Sequence, residues 1–240
     1  MPTVAELTDL YGNFMLGPRP GPGVCEVCFT FTEGHSRCFV CAQQNSALDA
    51  VTPISYSVAG GQLHHALAGY KRLGGDVSRR LQVELAAVLW RFLAGHEACV
   101  AREAGTRAFD LITTVPSSSR ERDESHPLRA IVGELVQPTR DRYERLLSRS
   151  SKPVQERTVD VRKYDVARTF ACEAVLLIDD TWTTGSGAQS AAAALREAGA
   201  GPVAAVVVGR HVKRGWRENE QRLHALVRPF DWSSCAWNQS

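Results

Sequence analysis

The sequence predicts an α/β fold, an open and mainly parallel sheet flanked by helices, preceded by a small segment folded on a metal. Three observations carry this expectation. Between Val175 and Val208 an apolar strand, an Ala-rich helix and a second apolar strand follow one another, which is the pattern of a parallel βαβ unit. Four cysteines fall between Cys25 and Cys41 as two C-x-x-C pairs. The remaining chain is long and apolar enough for a real core, with 240 residues and 44% hydrophobic content.

The elements follow in order. Helical spacing starts near Thr3 and runs to Leu16, and "GPRPGPG" at Gly17–Gly23 reads as a stiff linker. "CEVCFTFTEGHSRCFVC" then aims Cys25, Cys28, Cys38 and Cys41 at one point. Two such knuckles match the tetrahedral, all-thiolate preference of Zn2+ in a structural role. His35 is an alternative fourth ligand, and two disulfides or four unrelated thiols are the alternatives to metal. An odd total of seven cysteines, unevenly spread, speaks against a secreted disulfide framework. The segment 1–47 is therefore separated from a main domain, 48–240.

In that domain, Pro53–Val58 reads as a strand broken by Gly60 and Gly61. Two helical stretches follow, "QLHHALAGYKRLGG" and "DVSRRLQVELAAVLWRFLAGH", the second with Asp76 as its N-cap. Leu111–Val115 is a strand entering a polar turn, and "PLRAIVGELV" is another helix. The Arg-rich stretch up to Phe170 reads as short pieces of structure around a mobile loop. Val175–Ile178 is a strand, the following helix runs to Ala198 with Gly199 as its stop, and Val203–Val208 is the last strand. The C-terminal part carries Trp216, Trp232 and Trp237, too aromatic for a disordered tail. It can pack on its own sheet or on a partner.

Net charge of +2 argues against a general polyanion binder. No window reaches the roughly 18–20 apolar residues of a membrane helix, and the N-terminus lacks a signal pattern. No membrane association and a cytoplasmic location are expected.

The chemistry concentrates in "IDDTWTTGSG". Ligands of parallel sheets bind beyond the carboxyl ends of strands, where Asp179 and Asp180 are expected. Thr181, Thr183, Thr184, Gly185, Ser186 and Gly187 then offer hydroxyls and backbone N–H groups at a helix N-terminus, an anion cradle. Adjacent acids would repel phosphate but suit sugar hydroxyls or a divalent cation. A phosphate with vicinal hydroxyls nearby is a ribose phosphate. A P-loop lysine is absent, and acids stand where a dinucleotide fold needs glycines. An acidic turn that merely caps a helix explains neither the second acid nor the run of hydroxyls.

"VLLIDDTWTTGSG" resembles the signature of type I phosphoribosyltransferases, which use 5-phosphoribosyl 1-pyrophosphate (PRPP). The resemblance implies that Asp179 and Asp180 hold the ribose hydroxyls, and that the turn from Thr181 to Gly187 holds the 5-phosphate. It implies a pyrophosphate loop at Ser117, Ser118, Ser119 and Arg120, with Lys71 and Arg72 in reach and Mg2+ accompanying PRPP. It also implies a flap in the stretch that holds Arg157, Arg162, Lys163 and Arg168. The four-cysteine knuckle, the "GYK" helix and the "VP" turn together resemble the ComF-like branch, which is linked to competence for DNA uptake. Chains of that branch tend to carry an R-G-F-N-Q-like run after the "VP" turn; here Arg120–Leu128 reads "RERDESHPL".

Two functions follow as expectations. The first is transfer of phosphoribosyl from PRPP to an unidentified nitrogen nucleophile, releasing pyrophosphate. His64, His65, His126 and His211 qualify as the base by residue type alone. The second is a PRPP-sensing or competence-related protein without turnover, contacting single-stranded DNA or a DNA-handling partner through "GRHVKRGWR" (Gly209–Arg217). A homodimer is compatible with either.

Overall fold

The computed structural model describes residues 2–44, 46–226 and 229–238. Four parallel strands form its sheet, β1 (Ala50–Val58), β2 (Leu111–Thr114), β5 (Val175–Trp182) and β6 (Val203–Val212), in the order β1-β6-β5-β2. An antiparallel pair, β3 (Leu147–Arg149) and β4 (Tyr164–Val166), stands apart from it. The helices are α1 (Val4–Gly12), α2 (Phe39–Gln43), α3 (Gln62–Arg72), α4 (Gly75–Glu103), α5 (Arg120–Glu124), α6 (Pro127–Ala130), α7 (Gln137–Arg140), α8 (Ser186–Glu197) and α9 (Asn219–His224).

Side-chain alternation along the strands builds two cores, one on each face of the sheet. Leu176, Ile178, Ala204 and Val206 meet α1, α3 and α4 on one face. Leu177, Val175, Ala205 and Val207 meet α8 on the other, together with Cys25, Cys28 and Cys41. The small residues Ala188, Ala191 and Ala192 let α8 lie close on the strands. Pro53 is tolerated because β1 is an edge strand, and the chain before the knuckle covers that edge through Tyr56 N–H donating to the Leu16 carbonyl (2.8 Å).

Four expectations change. Asp76 does not cap α4; Gly74 holds that position, and Asp76 lies in the first turn, where its charge complements the helix dipole. That helix continues past His96 to Glu103 because Cys99, Val100 and Ala101 extend its buried face. "PLRAIVGELV" is one α-turn followed by a π-turn, Ile131–Leu135. Strand β5 runs through both acids to Trp182 rather than stopping at Ile178, since the ten-residue β6 keeps pairing with it, Asp179 opposite Val207 and Thr181 opposite Gly209.

The C-terminal segment packs on its own fold. Trp237 donates its indole N–H to Thr52 Oγ1 (2.7 Å), and Trp232 lies against Phe230 and under the Arg91 guanidinium. No helix among the described residues is long and apolar enough to cross a membrane.

Candidate functional site

At the carboxyl ends of β2 and β5 lies a polar cavity of about 580 Å³. It gathers side chains from five separated parts of the chain. Lys71 and Arg72 come from the end of α3, Ser117 and Ser118 from the turn after β2, and His126 from the start of α6. The β3–β4 hairpin contributes Arg149, Arg157, Lys163 and Tyr164. Asp179, Asp180, Thr181 and Thr183–Ala188 complete the wall.

Because the two acids sit within a strand, alternation sends them to opposite faces. Asp180 shares the face of Ile178; it is buried, accepts a hydrogen bond from the Tyr70 hydroxyl and forms an ion pair with Lys71. Burial, reinforced by the Asp180 charge, pushes the Tyr70 phenol well above its ordinary range. The Asp179 carboxylate accepts the Asp180 N–H (2.9 Å). Burial, and then the neighbouring Asp180 charge, raises the Asp179 carboxyl to about 7.

The turn after the acids is fixed by Gly185, whose φ of +79° is left-handed. A Cβ there would overlap the Trp182 ring, so glycine is required on two counts. Gly185 is also the N-cap of α8 and has no side chain to satisfy the first helical N–H groups. Thr184 Oγ1 donates to Ser186 Oγ (3.2 Å), orienting both hydroxyls. The Ser186 N–H turns back onto Thr184 Oγ1 (3.4 Å), and the N–H groups after it stand at the positive end of a twelve-residue helix.

A buried arginine supports this turn from behind. Arg210, 6% exposed, donates to the carbonyls of Trp182 (3.1 Å), Thr183 (3.2 Å), His211 (2.7 Å) and Cys28 (2.9 Å). It thereby joins the cysteine knuckle to the donor turn. The only signal for it in the sequence is a charge ending the apolar run "VAAVVVGR".

The turn after β2 is organised by Asp123, a residue the sequence reading passed over. It is 1% exposed, accepts the Ser117 N–H (3.0 Å) and is paired with Arg129 and, at 3.5 Å, Arg145. Ser117 and Ser118 line the cavity, whereas Ser119 accepts the Arg122 N–H as the cap of α5, and Arg120 is exposed outside the lining. Arg122 reaches the cavity instead.

Of the four candidate histidines, only His126 lines the cavity. Its Nδ1 accepts the Leu128 N–H (3.3 Å), and burial holds it below its ordinary pKa, so it is neutral with its proton on Nε2. His64, His65 and His211 instead cluster together, with rings 5.5–5.8 Å apart. In the hairpin, burial and the Arg149 charge lower the Lys163 pKa, and its ammonium donates to the Thr158 carbonyl (2.7 Å). Arg162 and Arg168 face elsewhere, held by Asp160 and by Glu144 with Glu173.

Cys25, Cys28, Cys38 and Cys41 bring their four sulfurs within 4.8 Å of one another, a cluster that could hold a metal ion such as zinc. All four are free thiols, and His35 is not in the group. No protein-family model matches the chain and no curated protein matches it, so the meaning of the cavity rests on the residues that line it.

Proposed function

We propose that the cavity binds PRPP with Mg2+ and that the chain is a type I phosphoribosyltransferase-like enzyme. It transfers phosphoribosyl to a nitrogen nucleophile and releases pyrophosphate. One observation carries this reading: Asp179, Asp180 and the N-terminus of α8, joined by a hydroxyl-rich turn, line one cavity. The acids accept from the ribose 2′ and 3′ hydroxyls, and the donors from Thr183 to Gly187 take the 5-phosphate.

Ser117, Ser118, Arg122 and Lys71 would then hold the pyrophosphate, and Mg2+ carried on its oxygens would offset the charge of the leaving group. In the transfer, the C1–O bond to pyrophosphate breaks, the bond from nitrogen to C1 forms, and the nucleophile's proton passes to a base. His126 lines the cavity, but its Nδ1 lone pair is taken by the Leu128 N–H and its Nε2 carries the proton, so it fits a donor to the leaving pyrophosphate rather than that base. The hairpin with Arg149, Arg157 and Lys163 covers the reacting centre as the flap, where excluding water protects a cationic C1. Zn2+ in the four-cysteine site braces the phosphate turn through Arg210. Seven free cysteines accord with a reducing cytoplasm.

Thermal shift with PRPP and Mg2+, followed by a pyrophosphate-release assay over a panel of bases and amines, tests this. Stabilisation with release supports transfer, and absence of stabilisation sinks the assignment of the site. Stabilisation without release favours the second reading, a PRPP sensor that works through single-stranded DNA or a DNA-handling partner. One observation speaks for that reading: Trp216 is 57% exposed and lies beside Arg214 and Arg217, a surface on which a base can stack. A salt-dependent affinity for single-stranded DNA that drops in Trp216→Ala supports it.

A further inference from the structure

Outside this cavity, α4 and the C-terminal segment build a second cluster of metal-ligating side chains. His96 and Cys99 are three residues apart on one face of α4. Cys235 approaches them from the segment after Phe230, which is tied down by Trp232, Trp237 and a short bridge between Cys235 and Asn238. An imidazole nitrogen of His96 and the sulfurs of Cys99 and Cys235 all lie within 4.8 Å of one another.

The protonation of His96 follows from its surroundings. It is 2% exposed, and its Nε2 meets the Trp232 carbonyl at 3.0 Å. A carbonyl only accepts, so Nε2 carries the proton and Nδ1 carries the lone pair. That Nδ1 is buried and has no hydrogen-bond partner among the described residues. Leaving a buried acceptor unmatched is unfavourable. A ring with one N–H fixed by a backbone carbonyl and a lone pair left free on its other nitrogen, grouped with two thiols, has the hydrogen-bond pattern of metal-binding histidines.

We propose that His96, Cys99 and Cys235 form a second metal site, distinct from the four-cysteine knuckle, whose ion clamps the C-terminal segment to α4. Two soft thiolates and one imidazole select a zinc-like ion over magnesium or calcium. Binding releases two thiol protons to solvent, and Zn2+ with two thiolates and a neutral imidazole sums to zero charge, as a buried site needs. Ligand atoms about 3.3–3.8 Å apart surround a tetrahedral zinc, so a group that already lies within 4.8 Å needs at most about 1 Å of closing. The inference is independent of what the polar cavity binds.

Metal content decides it. The full chain is loaded with Zn2+, desalted and assayed for zinc, alongside Cys235→Ser and Cys99→Ser. The expected result is about two zinc ions per wild-type chain and about one in either variant; unchanged metal content in folded variants overturns the proposal. Wild-type protein gives a second reading that needs no variant. Alkylation of Cys235 should slow at least about tenfold when Zn2+ is added, and equal rates refute the site. A Cys99–Cys235 disulfide in protein purified without reductant, seen as a mass loss of about 2 Da, also refutes it.

Discussion

The two turns that close the cavity are stabilised in different ways. The turn after β5 takes its shape from its own residues, with Gly185 in the left-handed conformation and Thr184 holding the Ser186 N–H and hydroxyl, and Arg210 braces that shape from behind through the Trp182 and Thr183 carbonyls. The turn after β2 is set by a residue further along the chain and by cations brought to it, with Asp123 holding Ser117, Arg129 and Arg145. A turn of the first kind keeps its shape in many sequences that carry its few essential residues. A turn of the second kind depends on one buried charge and on partners that only the fold assembles.

The largest effect that separates the two is expected at Asp123. Asp123→Ala leaves the largely buried Arg129 without its main counter-charge, at a cost of about 3–5 kcal/mol in chemical denaturation. The Ser117 turn loosens while the α8 turn stays intact, so the variant should lose pyrophosphate affinity and keep ribose 5-phosphate affinity. Gly185→Ala should do the converse. Its strained backbone and the overlap with Trp182 cost about 2–4 kcal/mol, and ribose 5-phosphate binding falls while pyrophosphate binding persists.

A smaller effect is expected from pH. In the folded chain Asp179 keeps its proton up to about 7, against 3.8 ordinarily. Its contribution to stability is therefore fully present below the ordinary carboxylate pKa and is lost as pH rises through about 7. Ligand binding runs the opposite way, since a ribose hydroxyl needs the ionised acceptor. PRPP affinity should rise up to about tenfold per pH unit below neutrality, and Asp179→Asn should flatten that profile in calorimetry. The smallest effect belongs to Ser119→Ala, which removes the α5 cap for about 0.5–1 kcal/mol. Because Ser119 caps the helix rather than lining the cavity, PRPP affinity should not change.

The same contrast explains what the sequence made legible. Asp179 through Gly187 is contiguous, and each residue's conformational or hydrogen-bonding preference can be read from its type. The parallel sheet was legible because its strands are apolar runs, and the four-cysteine cluster because metal ligands keep fixed spacing. Asp123 and Arg210 were not, since a charge in a polar or apolar stretch acquires its meaning only from distant partners. The ion pair that engages Lys71 joins α3 to β5 and has no local signature. The length of β5 was misread because strand pairing with β6, rather than hydropathy, carries it past the acids. His126 could not be ranked above the other histidines because burial and neighbouring charge, which set its state, belong to the fold.

The central claim is that Asp179, Asp180 and the α8 turn form one ribose-phosphate site. Isothermal calorimetry of PRPP with Mg2+, on the wild type and on Asp179→Asn/Asp180→Asn, tests it most directly. The prediction is saturable binding by the wild type and a loss of affinity of at least about tenfold, or about 1.4 kcal/mol, in a folded double variant. No binding by the wild type, or equal affinity in both proteins, would contradict it.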